Sequence, residues 1–253
     1  MEDRVEPIIE IRSVVYEAAG YRILDEINLS VMKGEILILL GESGCGKTTT
    51  LKLINRLIDP TAGDVLVEGK NNRDWEPIKL RRRIGYVLQE SGLFPHYSVE
   101  RNVGLVLDLS GQDPVETRHR VEAMLELVGL DPLKFATRFP HELSGGQRQR
   151  VGVARALAAD PSLILLDEPF GALDVITRTN LQKEFAGLVN ELGKTAVFVT
   201  HDLHEAMSLG SRIALMEKGR IVFLGKPSEF ANSDLSLAKA YLETVQDSRS
   251  VAF

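Results

Sequence analysis

A continuous apolar run that leads directly into a glycine-rich loop constrains the fold of this chain more than any other feature. Residues 36–40 read Ile-Leu-Ile-Leu-Leu, which is typical of a strand buried on both faces. Residues 41–48 read Gly-Glu-Ser-Gly-Cys-Gly-Lys-Thr, and a helical segment follows over 47–54. Glycines let the backbone curl so that its N–H groups point inward, and the helix adds its positive N-terminal end. Strand, glycine loop and helix in this order predict a phosphate-binding loop of the Walker A type.

The residue types in this loop indicate how individual side chains would contact a nucleotide. We expect Lys47 to reach the β- and γ-phosphates of ATP and Thr48 to give a hydroxyl to Mg²⁺. Cys45 has two interpretations, a reactive thiol near Lys47 or a small residue that fits the loop, and the second is favoured. Cys45 is the only cysteine, so no internal disulfide is expected and a reducing compartment is indicated. The remaining loop residues expected to contact the nucleotide are Gly41, Glu42, Ser43, Gly44, Gly46 and Thr49.

Polar residues that directly follow other apolar strands complete the predicted chemistry. The run Leu163–Leu166 ends in Asp167 and Glu168, a Walker B pattern. Asp167 suits the Mg²⁺ shell, and Glu168 suits a base that activates or positions the attacking water. Gln89 is predicted to ligate Mg²⁺ through its amide oxygen, and His201 to donate to the γ-phosphate and the transition-state oxygens.

The hydrophobic pattern predicts an α/β fold. Helical spacing runs from about residue 99 to 159. The simplest architecture is a single domain over 1–245, with a parallel α/β core at 1–91 and 161–245, a β-rich N-terminal part and a helical subdomain inserted at about 92–160. Residues 246–253 are predicted to be a polar tail that frays. Strands are predicted at residues 8–14, 27–31, 36–40, 65–67, 84–88, 163–166, 196–199 and 213–216.

Composition excludes several functional classes. The net charge of −6 argues against a nucleic-acid partner held by bulk charge, and the triplet at 81–83 reads as a solvated turn or helix start. No apolar run approaches the roughly 18 residues needed to span a bilayer. The N-terminus shows no secretory signal. We therefore expect a cytosolic chain whose role at a membrane requires separate membrane subunits.

Two further motifs accompany the Walker motifs: Leu143-Ser144-Gly145-Gly146-Gln147 lies between them, and Ala172-Leu173-Asp174 follows them. With these motifs the chain resembles the ATP-binding cassette (ABC) family over nearly its whole length. The resemblance implies a P-loop NTPase core, ATP and Mg²⁺ as cofactors, and a head-to-tail homodimer enclosing two ATP. It also implies that the signature residues 144–147 contact the γ-phosphate bound to the other subunit and that Asp174 joins the two sites. Gly171 stands where many relatives have serine, so a hydroxyl contact from that position is not expected. For adenine stacking the family uses an upstream aromatic residue, and Tyr16 is favoured over Tyr21 because it lies just beyond the first strand.

Residues 48–57, 92–96 and 168–174 resemble the ATPase subunits of quaternary-amine osmoprotectant importers, which take up glycine betaine, choline or carnitine. This implies transmembrane permease subunits, an extracytoplasmic solute-binding protein and a peripheral position on the cytoplasmic face of the membrane. Some relatives have a C-terminal regulatory domain, and this chain ends soon after the core, so that mode of regulation is not expected. An importer of methionine or another amino acid is the alternative. A non-transport ABC ATPase lacks support because no long coiled-coil insertion or second cassette is present. An ATP-binding module without turnover is disfavoured by the intact Glu168 and His201.

Leu93, Phe94 and Tyr97 are apolar or aromatic residues in a segment rich in loop formers. Two interpretations stay open. The side chains either attach the helical subdomain to the core, or they line the groove that receives a short helix of the membrane subunit, as the family resemblance implies.

Overall fold

The computed structural model describes residues 6–89, 92–171 and 173–250, with side chains described as far as Thr244. Ala172 of the predicted motif and the last three tail residues lie outside this range. The strands are β1 (Pro7–Ala18), β2 (Tyr21–Met32), β3 (Ile36–Gly41), β4 (Ala62–Val67), β5 (Lys70–Asn71), β6 (Ile84–Val87), β7 (Leu163–Asp167), β8 (Thr195–Thr200), β9 (Arg212–Glu217) and β10 (Arg220–Gly225). The helices are α1 (Lys47–Ile54), α2 (Pro77–Arg82), α3 (Val99–Leu109), α4 (Pro114–Leu127), α5 (Pro132–Phe135), α6 (Gly145–Ala158), α7 (Val175–Glu191), α8 (Leu203–Leu209), α9 (Pro227–Ala231) and α10 (Ser236–Ser250).

The chain forms two compact units, Met1–Trp75 with Thr195–Phe253, and Glu76–Lys194. In the first unit an antiparallel sheet has the strand order β2-β1-β4-β5. β1 and β2 form a hairpin whose two turn residues, Ala19 and Gly20, both have positive φ (50° and 79°), as a type I′ turn requires. Both strands are longer than predicted, because residues near the turn are partly exposed and lack an apolar pattern, so that only backbone pairing marks them as strand.

The second sheet of this unit holds the predicted parallel core. β3 pairs in parallel with both β8 and β9, and β10 returns antiparallel to β9. Every residue of β3 and of β8 is buried. Burial on both faces explains why these strands read as uninterrupted apolar runs. The sheet therefore presents the carboxyl ends of several strands at one edge, where α1 also begins.

The second unit combines a parallel pair, β6 and β7, with helices. The stretch predicted to be helical is confirmed as α3 to α6. A Cβ atom on Gly85 of β6 would stand 2.6 Å from the carbonyl oxygen of Ala156, so only glycine allows this close approach of α6 to the strand. The unit extends beyond residues 92–160, and those subdomain limits stay a prediction.

Other helices show signals that the sequence analysis did not use. α2 begins at Pro77 with the Glu76 carboxylate accepting from the amides of Ile78 and Lys79, and the arginine triplet stands at its end. α10 runs to Ser250 and so includes part of the segment interpreted as a tail. Within the part of the chain that the structure describes, no helix combines the length and apolar composition that a membrane crossing demands.

Candidate functional site

The loop at 41–48 is built on glycines for steric and conformational reasons. Gly46 has φ 111°, and a Cβ atom there would overlap Leu24 Cδ2 and lie 3.3 Å from the carbonyl oxygen of Ile23. A Cβ on Gly41 would stand 2.5 Å from the carbonyl oxygen of Met216. Side chains are therefore excluded at both positions, as expected for a loop whose backbone must curl around a phosphate.

Lys47 lies at the centre of this loop. Its side chain is only 4% exposed, and Nζ donates to the carbonyl oxygens of Gly41 at 2.7 Å and Glu42 at 2.8 Å. Nζ also makes a weak contact with Cys45 Sγ at 3.9 Å, so each of the three donor hydrogens of the ammonium group has a partner within the loop. The first turn of α1 contains no acidic residue, which leaves the positive helix end uncompensated by a side chain. Thr48 and Thr49 are partly buried in that turn.

Burial favours one of the two interpretations of Cys45. Removal from water raises the pKa of the thiol, and the nearby Lys47 charge, which lowers it, is the smaller effect. The neutral thiol is therefore favoured, which supports the role of a small loop residue. Tyr241 of α10 is a neighbour that the sequence analysis missed. Burial, together with Cys45 and Glu42 nearby, raises the pKa of Tyr241 to about 12.

The two tyrosines that are candidates for stacking on adenine lie in the same β-hairpin. Tyr16 on β1 pairs with Leu24 on β2, and Leu24 is the residue that packs on Gly46. The pairing places Tyr16 beside the residue that packs on the loop, at a point where the register of the hairpin shifts. Tyr21 begins β2 and is 76% exposed.

His201 follows the buried strand β8 at the sheet edge where the loop begins. β8 lies parallel to β3, with Thr200 beside Leu40. His201 and Gly41 are therefore the next residues of two neighbouring strands, and the imidazole is exposed there. The next residue, Asp202, accepts a 2.7 Å hydrogen bond from the His204 amide and caps α8, which holds the backbone after His201 in place.

Within the second unit, Gln89 follows β6 at the carboxyl ends of the parallel strands β6 and β7, where Asp167 and Glu168 also lie. β6 and β7 are parallel, with Val87 beside Leu166. Asp167 is buried, and Glu168 has a φ of 44°, in the left-handed region that non-glycine residues seldom adopt. Tyr86 was missed by the sequence analysis. Burial and then the Asp167 carboxylate raise the pKa of its hydroxyl, which keeps the phenol neutral.

The signature residues form the start of α6. Ser144 Oγ accepts from the Gln147 amide at 3.2 Å, and Gln147 Oε1 accepts from the Ser144 amide at 2.9 Å. This reciprocal capping box satisfies the backbone N–H groups of Ser144 and Gln147. It gives Gln147 a structural role that its spacing from Ser144 could have revealed. A Cβ on Gly146 would stand 2.9 Å from Thr177 Cγ2, so this glycine allows α6 to approach α7 closely. The first turn of α6 contains no acidic residue.

Asp174 caps the helix α7. Its Oδ1 accepts a 3.0 Å hydrogen bond from the Thr177 amide, and this bond lowers the pKa of the carboxyl. The carboxylate is thereby held ionised and in one orientation. An aspartate directly before a helical segment is a readable N-cap signal. Glu168 O accepts from the Gly171 amide at 3.3 Å, so the segment between them turns tightly.

The aromatic segment at 93–97 is organised by Asn102, a buried residue that sequence analysis missed. Asn102 Oδ1 accepts from the Phe94 amide at 2.8 Å, and Nδ2 donates to the carbonyl oxygens of Phe94 and Tyr97. Phe94 is 40% exposed, with its ring 5.4 Å from that of Tyr97. Arg101 stacks over Tyr97 at 3.9 Å. The cluster is thus a fixed and partly exposed surface.

Comparison with known proteins gives this arrangement a family. A family model described as "ABC transporter" matches residues 24–171. The chain belongs to the ABC transporter family. The cassette is similar to the choline transport ATP-binding protein OpuBA of Bacillus subtilis (strain 168), at 51% identity over 210 residues, 83% of this chain and 55% of the relative. It is 50% identical over 206 residues to the osmoprotectant import ATP-binding protein OsmV of Salmonella typhimurium, which is 81% of this chain and 54% of the relative. The chain thus spans about half the length of these curated relatives.

Solved structures confirm the predicted ABC ATPase fold. A dimeric post-hydrolysis state of the ATP-binding cassette MJ0796, bound to ADP and Pi, is 35% identical with a TM-score of 0.77, covering 87% of this cassette and 98% of that chain. The cbiO1 structure from Clostridium perfringens, part of the cbiONQ complex, is 27% identical with a TM-score of 0.83, covering 98% of this cassette and 100% of that chain.

Proposed function

We propose that this cassette hydrolyses ATP and couples hydrolysis to the import of a quaternary-amine osmoprotectant. The observation that carries the proposal is the loop at 41–48, with the Lys47 ammonium buried inside a glycine backbone that excludes side chains at Gly41 and Gly46. Such a loop suits the phosphates of a nucleotide because amides, an ammonium and a helix N-terminus all present positive charge. The relatives named above are ATP-binding proteins of choline and osmoprotectant transport.

In this proposal the residues 41–49 bind the phosphates, and the ring of Tyr16 stacks on adenine. Lys47 exchanges one or both carbonyl contacts for phosphate oxygens. The oxygen donors of Thr48, Gln89 and Asp167 would hold Mg²⁺, which prefers such ligands. The buried Asp167 carboxylate, which ends β7, fits that role. When bound, the ion neutralises phosphate charge.

Two residues act on the hydrolytic step. Glu168 accepts a proton from the attacking water or orients that water, and its left-handed backbone sets the direction in which the carboxylate leaves the strand. His201 donates a hydrogen bond to the γ-phosphate as negative charge develops on its oxygens. His201 suits this task because it is exposed at the strand edge where the phosphate loop begins.

The active form in this proposal is a head-to-tail dimer of two copies. Ser144, Gly145 and Gly146 face the γ-phosphate held by the other copy, at the N-terminus of α6. Ser144 Oγ accepts its capping bond, so the hydroxyl hydrogen still serves as a donor. Asp174, held by the Thr177 amide, links the two sites. The dimeric MJ0796 cassette supports this assembly.

Import requires partners that this cassette does not supply. We infer transmembrane permease subunits, an extracytoplasmic solute-binding protein, and a position on the cytoplasmic face of the membrane. The turn at 93–97 is the proposed permease contact, because Asn102 presents Phe94 partly exposed.

Copurification with reconstitution tests the proposal. A tagged chain is isolated with its native partners, the subunits are identified by mass spectrometry, and the complex is placed in liposomes with internal ATP. We expect uptake of labelled choline, glycine betaine or carnitine, and no uptake by the complex carrying Glu168→Gln. Uptake of methionine instead would contradict the solute class. A complex that hydrolyses no ATP would contradict the enzymatic assignment.

A further inference from the structure

Arg155 joins the signature helix α6 to the segment that follows Gln89. Its Nη1 donates a 2.7 Å hydrogen bond to the carbonyl oxygen of Gly92, 63 residues away in the chain. The guanidinium is partly withdrawn from water, and burial lowers its pKa. A charge-assisted bond in such surroundings is stronger than one on the surface. The contact therefore restrains Gly92 relative to α6.

Gly92 in turn lies against Leu88, the residue that follows β6. Its φ is 54°, and a Cβ atom on it would overlap Leu88 Cδ1 and lie 3.3 Å from Leu88 Cβ. Leu88 immediately precedes Gln89. A displacement of Gly92 is consequently resisted by Leu88, so that the restraint from Arg155 reaches the residue next to Gln89.

The other end of α6 carries the signature. Ser144 and Arg155 are separated by about three helical turns. Directly after Arg155, the helix lies against β6 through the close approach of Ala156 to Gly85. A helix with continuous backbone hydrogen bonds moves as a rigid body, so a shift at Ser144 is transmitted to Arg155.

We propose that Arg155 is a positioning residue, which sets the place of Gln89 and links it to the signature end of α6. The proposal rests on the proposed ATPase function. In this proposal Arg155 acts on Gln89 through Gly92 and Leu88, which makes it a positioning residue and not a catalytic one. Contact between the signature and the γ-phosphate of the partner copy would then adjust Gln89 in the same subunit.

A double-mutant cycle on the full chain tests this role. Arg155→Met keeps the aliphatic stem and removes the donor. We expect it to lower kcat about tenfold or more, since a lost hydrogen bond to a charged group has that magnitude. The KM for ATP should stay within about twofold, because ATP binding energy lies mainly in the phosphate loop. Combined with Gln89→Ala, Arg155→Met should add little further loss, because both changes disable the same element.

Two controls separate positioning from stability. Arg150→Met changes another α6 arginine whose Nη1 binds a backbone carbonyl, that of Val128 at 2.6 Å, and its kcat should match wild type. Arg155→Lys retains a donor and a charge, and should recover part of the rate even if Arg155→Met folds poorly. Hydrogen exchange should also quicken in the peptide containing Leu88 and Gly92 for Arg155→Met and not for Arg150→Met.

Additive losses in the double variant, or unchanged exchange in that peptide, would overturn the positioning role. So would an Arg155→Lys variant no better than Arg155→Met when both are folded at the assay temperature. A wild-type chain that hydrolyses no Mg-ATP would overturn the proposed function instead, and the two failures are therefore distinguishable.

Discussion

The ammonium nitrogen of Lys47 lies 2.7 Å from the carbonyl oxygen of Gly41, the residue at which β3 ends. This bond closes the phosphate loop on itself and places a buried positive charge inside it. Lys47 therefore holds the loop together, and in the proposed function it also presents the positive charge that attracts a phosphate.

Lys47→Ala should weaken ATP binding about tenfold or more, because bonds from a charged donor are worth about 1.5–3 kcal/mol. Titration with a fluorescent ATP analogue measures the change. Lys52→Ala, on the exposed face of the same helix, is the matched control and should bind as wild type does. Equal affinities for both variants would mean that the loop is misassigned.

Glu168→Gln should keep ATP affinity near that of wild type and lower kcat about 100-fold or more, as expected for loss of a general base. The amide preserves the shape of the side chain but cannot accept the proton of the attacking water. Trapped ATP should then hold a dimer that is visible by size-exclusion chromatography. Glu191→Gln, at the exposed end of α7, is the control. Hydrolysis at the wild-type rate would exclude the assigned role of Glu168.

Ser144→Arg should leave ATP binding by the monomer intact and abolish hydrolysis, because a bulky cation cannot replace the serine against the phosphate of the other copy. Mixing Ser144→Arg with Lys47→Ala subunits provides the decisive measurement. A head-to-tail dimer of the two contains one intact composite site, so ATPase activity should return from two inactive proteins. Continued inactivity of the mixture, with dimers present, would contradict a composite site. Ser110→Arg, on the exposed end of α3, is the control for the substitution itself.

Phe94→Ala should weaken assembly with the permease by about 2 kcal/mol or more, the magnitude typical of an aromatic anchor. Thermal unfolding of the isolated chain should change little, because Phe94 is partly exposed and Asn102 holds the turn through the backbone. Leu133→Ala removes a side chain that is 97% exposed elsewhere and should affect neither quantity. If isolated Phe94→Ala melts much earlier while the complex transports normally, Phe94 is instead a core residue.

The Cys45 thiol should react with iodoacetamide slowly, with a midpoint above the ordinary thiol pKa of 9.0. A raised pKa keeps the neutral, unreactive form to higher pH, and the thiolate appears only above that value. Because the chain has one cysteine, the added mass reports on this site alone. Denaturant should return the midpoint to the ordinary value. A native midpoint below 9.0 would show that the Lys47 charge outweighs burial.

Local patterns were sufficient wherever a few neighbouring residues determine the structure. The segment 36–54 was predictable because burial of a strand, glycine conformations and a helix start all lie within it. The roles of Gln147 and Asp174 as capping residues were also readable locally, yet the family resemblance drew attention to nucleotide contacts instead. The full lengths of β1 and β2 were not predictable, since half-exposed residues near the turn carry no apolar pattern.

By itself the sequence determined the phosphate loop, the paired carboxylates after β7 and the signature, because each depends on residue types at short and regular spacing. Only the tertiary structure decided that Leu24 packs on Gly46, that His201 shares a sheet edge with Gly41, and that Arg155 holds Gly92. These contacts join residues far apart in the chain. They depend on strand order and on the close approach of backbones, which follow from the packing of whole elements and leave no local pattern in the sequence.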